Sequence, residues 1–256
     1  MASDHTAAAR GWWRPYAVGL MAAGTILALV TWQVVARGPL TALDWPTHEY
    51  LAARQPEGAA HTLAVGAARL GQRWLTAPIL LLVGVWGALR RRDPRPVLAA
   101  VTGLVSLAVL GGLLKVYVGR TPPLMGIDMV DAGLGNVADG LGWIVTLGAV
   151  PFDGFVSYPS GHTANAALTY PLLAFLLFGP NGVRPSTVAL RRTLAASPIP
   201  VLIVGAMMAL LDYHWVTEAL GGLALGAVVA LLGRLVLGPG GTGAGPAAQA
   251  GGRCGR

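Results

Sequence analysis

Long stretches without one charged residue constrain this chain more than anything else in it. About 20 apolar residues in helical form match the hydrocarbon thickness of a bilayer. Within that layer only helices or closed barrels satisfy their own backbone. Such windows predict spans over about 16–36, 75–89 and 97–118, then from the Pro159–His162 segment to about 178, and over 197–211 and 217–237. The expected fold is all-α: a polytopic bundle of about six transmembrane helices over residues 15–237. It would lie between a disordered N-terminal segment, 1–14, and a disordered Gly/Ala-rich tail, 238–256. Arg10 and Arg14 precede a first apolar run too long for a cleavable signal, so it reads as a retained helix.

Composition agrees. The chain is 54% hydrophobic and 11% charged, against about 25% charged in soluble domains. Its net charge of +7 would fit nucleic acid, but the arginines stand in short segments between apolar runs, as they do when a membrane protein fixes its orientation. No nucleic-acid partner is expected. Placing Arg10/Arg14, Arg90–Arg95 and Arg184/Arg191/Arg192 in the cytoplasm puts both termini inside. Lys115, Arg120, His162, His214 and Glu218 then share the opposite, extracytoplasmic face of the inner membrane. Cys254 is the one cysteine, which excludes an intramolecular disulfide and argues against a thiolate metal site. His48 and His61 lack metal-ligand spacing, so neither a metal nor a cofactor is expected.

Two further segments are ambiguous. Residues 38–74 mix charges with apolar residues; Leu63, Ala67 and Leu70 sit at helical spacing, so the segment reads equally as an interfacial amphipathic helix or a folded loop. The long Gly-rich connection 121–157, with Asp128, Asp131, Asp139 and Asp153, has a length typical of functional or disordered loops. Trp12, Trp13 and Trp215 fit an interfacial aromatic belt.

The chemistry is carried by Tyr158-Pro159-Ser160-Gly161-His162 and Tyr213-His214-Trp215-Val216-Thr217-Glu218. A Pro-Ser-Gly run suits a helix start, where free N–H groups can hold an anion. His162, just inside, can exchange a proton beside that anion. His214 and Glu218 are four apart and share a helix face, so the carboxylate can fix the imidazole tautomer and leave the other nitrogen to attack phosphorus. The candidate catalytic residues are His162, His214 and Glu218. Ser160, Gly161, Lys115 and Arg120 are the candidate phosphate-binding groups. The bland readings are a helix cap for Pro-Ser-Gly, interfacial snorkelling for Lys115 and Arg120, and plain solvation for Asp212. A costly carboxylate at the start of a span, paired by spacing with a histidine, favours a site.

On these residues the chain resembles the type 2 phosphatidic acid phosphatase superfamily of integral-membrane lipid phosphatases. That family has three motifs: Lys, six residues, Arg-Pro; Pro-Ser-Gly-His; and Arg, five residues, His, three residues, Asp. The second is intact at Pro159–His162. The first keeps Lys115 but has Pro122 at its arginine position, with Arg120 two residues earlier as the evident substitute. The third keeps His214, has Glu218 for Asp and Met208 for Arg. The resemblance implies metal-independent dephosphorylation, through a phosphohistidine, of a membrane lipid phosphate or diphosphate: a polyprenyl diphosphate, phosphatidate or phosphatidylglycerol phosphate. The alternatives are a phosphotransferase with another acceptor and a weakened relative that binds lipid phosphate without turnover. Nothing in the chain specifies an oligomeric state.

Overall fold

The structure, a computed structural model, describes residues 11–138 and 156–239. The expectations for 1–10, 240–256, Asp139 and Asp153 lie outside the described residues. Among the described residues the regular structure is helical, apart from one isolated antiparallel bridge between Arg120 and Val130. The helices are α1 (Arg14–Val35), α2 (Asp44–Ala52), α3 (Gly58–Ala68), α4 (Arg73–Arg91), α5 (Arg95–Val118), α6 (Gly161–Phe178), α7 (Thr187–Ala196), α8 (Pro198–Leu210) and α9 (Val216–Val236).

Five stretches among the described residues are long and apolar enough to cross a membrane: α1, α4, α5, α7 with α8, and α9. The sixth expected span, α6, has the length, but His162, Asn165, Tyr170 and Pro171 lower its hydropathy. It can carry them because it is the central helix, packed against α9, α4, α5 and α8. Lipid-facing side chains such as Met21, Leu82, Val105 and Leu202 stay exposed on the outer helices, as a bilayer solvent requires.

Two boundaries differ from expectation. α4 extends past 75–89 at both ends, since Arg73, Arg90 and Arg91 continue the helix and can reach the interface on their aliphatic stems. Arg191 and Arg192 are helical rather than in a loop. The helix breaks at Ser197, where Pro198 starts α8 without an N–H for the preceding turn. The ambiguous 38–74 segment folds as α2, α3 and two 3₁₀ turns, Pro39–Leu43 and Arg69–Gly71.

Small residues bring α9 against α6. A Cβ on Gly226 would meet the Ala164 carbonyl oxygen at 2.5 Å and Ala167 at 2.4 Å; one on Gly222 would meet the Ser160 carbonyl oxygen at 2.5 Å. Between apolar helices in lipid, such close backbone approach is a main source of association. It sets the starts of α6 and α9, hence His162 and His214, side by side. At the other end Arg91 donates to the Gly182 carbonyl at 3.0 Å, so the 90–95 arginines gather with the 179–186 turn, away from the histidines.

Gly226→Val should therefore lower the melting temperature in detergent, by the equivalent of about 1–3 kcal/mol for overpacking. Gly24→Ala, where an added Cβ meets nothing within 4 Å, should leave it unchanged. Equal melting temperatures for both would contradict this packing.

Candidate active site

The start of α9 carries the most constrained pair. His214 Nδ1 lies 2.7 Å from Glu218 Oε2. Glu218 is fully buried, yet every side of its carboxylate is engaged. Oε2 also accepts the Trp215 N–H at 3.3 Å, and Oε1 accepts the Ser157 hydroxyl. The guanidinium of Arg120 stands 3.9 Å from Oε1. Glu218 is the third residue of its helix, so its charge also meets the positive end of the helix dipole. With Nδ1–H held by the carboxylate, Nε2 of His214 keeps its lone pair.

The start of α6 carries the second histidine. Ser160 caps the helix: its Oγ accepts from the Thr163 hydroxyl at 3.1 Å and, more weakly, from the Thr163 N–H at 3.5 Å. Its own N–H donates to the Glu218 carbonyl at 3.0 Å, which ties α6 to α9. Ser160 is fully buried, so its hydroxyl serves the cap. The N–H groups of Gly161 and His162 find no acceptor among the described residues, and space beside the Gly161 Cα is open. That end of α6 is free to take an anion. His162 Nε2 lies 2.6 Å from Gln72 Oε1, which fixes its ring.

Lys115 and Arg120 part company. Lys115 Nζ donates to the Val156 and Ser157 carbonyls at 2.7 and 3.1 Å, leaving one of its three protons. Arg120 is fully buried and heavily engaged. Its Nε and one terminal nitrogen form a fork on Asp128 at 2.9 and 3.0 Å. It also donates to Asp44 at 2.9 Å and to the Thr217 hydroxyl at 2.7 Å. Burial works against its charge, but the Asp128 hydrogen bond and the nearby Glu218 and Asp44 carboxylates outweigh it and hold its pKa above the usual value. Asp44 in turn accepts the Thr217 N–H at 2.9 Å and hydroxyl at 2.6 Å, capping α9. The guanidinium expected at the phosphate is thus engaged with Asp44, Asp128 and Thr217.

His162 and His214 line one cavity of about 480 Å³, together with Ser157, Gln72, Arg69, Tyr213 and a wall of Val65, Leu124, Met208 and Leu211. An apolar chamber with two histidines at its polar end suits an amphiphile with a reactive headgroup.

The sequence profile of the PAP2 superfamily matches residues 96–238, which include both histidines. The chain belongs to the PAP2 superfamily. No curated protein matches it. Its fold is similar to the crystal structure of a transmembrane PAP2-type phosphatidylglycerolphosphate phosphatase from Bacillus subtilis. That match has a TM-score of 0.61 at 20% identity and covers 81% of this chain and 92% of the other. The protein is accordingly a multi-pass membrane protein with the PAP2 fold.

Within the superfamily motifs, Pro122 and Met208 stand at arginine positions, and both line the cavity. The site therefore has apolar side chains at two places where the motifs would put cations. Four contributors are missed or misplaced from sequence alone. Gln72 gave no signal beyond adjacency to a charged segment. Asp44 reads as one more charge in a mixed stretch. Asp212, read as solvated, lies 2.6 Å from His48 Nδ1, and this contact closes the back of the His214 loop. Asp212 has φ 64°, a left-handed conformation that aspartate tolerates better than most residues. Trp215, read as an interfacial belt residue, is instead buried; its indole N–H donates to the Thr121 carbonyl at 2.8 Å and its ring stacks on Trp45.

Arg120→Ala would leave Asp44 and Asp128 facing each other without their cation. It should cost about 3–5 kcal/mol of stability, read as a large fall in melting temperature. A variant that melts like the parent would contradict the scaffold role.

Proposed function

We propose that this protein dephosphorylates a membrane lipid phosphate or diphosphate through a phosphohistidine on His214, without a metal. The observation that carries the proposal is the His214–Glu218 contact: a buried, fully engaged carboxylate on Nδ1, with Nε2 left as nucleophile beside an apolar cavity. In the first step Nε2 attacks phosphorus and the bond from phosphorus to the leaving oxygen breaks, His162 giving that oxygen its proton. In the second, His162 takes a proton from water as the water oxygen attacks phosphorus, and inorganic phosphate leaves His214. The open N–H groups of Gly161 and His162 and the remaining proton of Lys115 are suited to phosphate oxygens. Ser160 acts by capping α6, and Arg120 by holding Glu218 and Thr217.

The apolar wall of the cavity supports a lipid rather than a soluble ester; polyprenyl diphosphate, phosphatidate and phosphatidylglycerol phosphate are the candidates. The arginine clusters at the end opposite the histidines support an active site on the outer face of the cytoplasmic membrane, with both termini inside.

Purified protein in detergent with EDTA should release phosphate from at least one of these lipids. His214→Ala should reduce release to background. Glu218→Gln, which keeps the shape and removes the charge, should lower kcat by roughly 10²–10⁴-fold, as loss of an imidazole-orienting carboxylate does. Transfer of the phosphoryl group to an added hydroxyl acceptor, with no inorganic phosphate released, would make the protein a transferase. Binding of all three lipids without any release would overturn the catalytic reading.

A further inference from the structure

We infer that Arg69 is the cation that grips the substrate's phosphate in this cavity. It would do so from the turn before α4, not from the ends of the motif-bearing helices. The inference rests on the phosphatase reading above and names the group that reading lacks. Phosphoryl transfer needs positive charge around the equatorial oxygens, because the protein contributes to it chiefly by positioning and electrostatics. Among the described residues that line the cavity, Arg69 alone carries a permanent positive charge. Arg120 is spent on Asp44, Asp128 and Thr217, and Lys115 has given two of its three protons to carbonyls. Positions 122 and 208 offer only Pro and Met to the same space.

Arg69 is also held where it is needed. The Arg69–Gly71 turn is locked to α6 at three points. Gly71 packs so closely that a Cβ there would meet the His162 carbonyl oxygen at 2.4 Å. Gln72 contacts the His162 ring at 2.6 Å. The Leu70 carbonyl accepts the Tyr170 hydroxyl at 3.1 Å. Arg69 is exposed, and its guanidinium has no carboxylate within ion-pair distance among the described residues. A fixed backbone with an uncommitted fork is what bidentate phosphate recognition asks for. Arg73, one turn along, is exposed and does not line the cavity.

The test uses full-length protein in detergent with a short-chain phosphatidate as substrate and inorganic phosphate as competing ligand. Arg69→Ala should lower kcat/KM about 10²–10³-fold and weaken inhibition by phosphate about tenfold or more. The melting temperature without phosphate should stay at the parent's value. Arg69→Lys should recover part of both losses, and Arg54→Ala, at an exposed arginine outside the cavity, should stay within about threefold of the parent. Parent-like kcat/KM and phosphate inhibition in Arg69→Ala, with His214→Ala still inactive, would overturn the inference and leave the phosphatase reading intact. A loss confined to bilayer substrate would also overturn it, marking Arg69 as a headgroup anchor. If the parent releases no phosphate at all, the phosphatase reading fails. Phosphate-induced stabilisation of the parent but not of Arg69→Ala would then still uphold the anion site, and equal stabilisation would overturn it.

Discussion

A guanidinium taken out of water must be given acceptors for its donors, and in this protein that requirement organises the outer end of the bundle. Arg120 finds its partners in three separate parts of the chain: Asp44 at the start of α2, Asp128 in the connection after α5, and Thr217 at the start of α9. Charged groups buried in this way are costly unless completely paired. The pairing therefore constrains where each segment can lie. Glu218, one residue beyond Thr217, is held in turn, and the orientation of His214 follows from it. The Ser157 hydroxyl closes the arrangement against the loop that Lys115 anchors. A rigid carboxylate behind a histidine is thus a consequence of solving a burial problem, and the proposed role of Nε2 depends on it.

The apolar half of the molecule contributes distance. Glycines on α9 let its backbone approach α6 until carbonyl oxygens and Cβ positions touch, so two histidines some fifty residues apart meet across one cavity. Gly71 repeats the device on the other side, seating the 69–72 turn on the His162 backbone. The small residues fix geometry that polar groups then use. Since side chains in lipid gain little from burial alone, this precision comes from close packing.

Residues whose chemistry depends on local spacing were legible from the chain. His214 and Glu218 are one helical turn apart and must meet if the segment is helical, and the cap at Ser160 follows from the Pro-Ser-Gly run. The apolar windows predicted the bundle, including the central α6, whose polar first half reflects its enclosed position. Tertiary choices were not legible. Arg120 stands two residues from a motif position, but a guanidinium turns toward its nearest carboxylates, and Asp44 lies 76 residues away. Asp212 reads as a solvated loop residue until α2 brings His48 against it. Trp215 resembles an interfacial anchor because sequence cannot tell a headgroup from a buried carbonyl as the partner of an indole N–H. Arg69 and Gln72 belong to a segment whose mixed composition permits a loop as readily as a helix, and only its contacts with α6 reveal which side faces the histidines.

The proposed step is covalent phosphorylation of His214, made possible because a buried Glu218 leaves its Nε2 free. Its most direct test is rapid acid-free quenching of protein mixed with labelled substrate, followed by mapping of the labelled peptide. An acid-labile, base-stable phosphoryl group is expected on the peptide carrying His214, formed in EDTA and absent from His214→Ala. Steady turnover with no trapped phosphoryl group at any quench time, or a label mapped to His162, would contradict it.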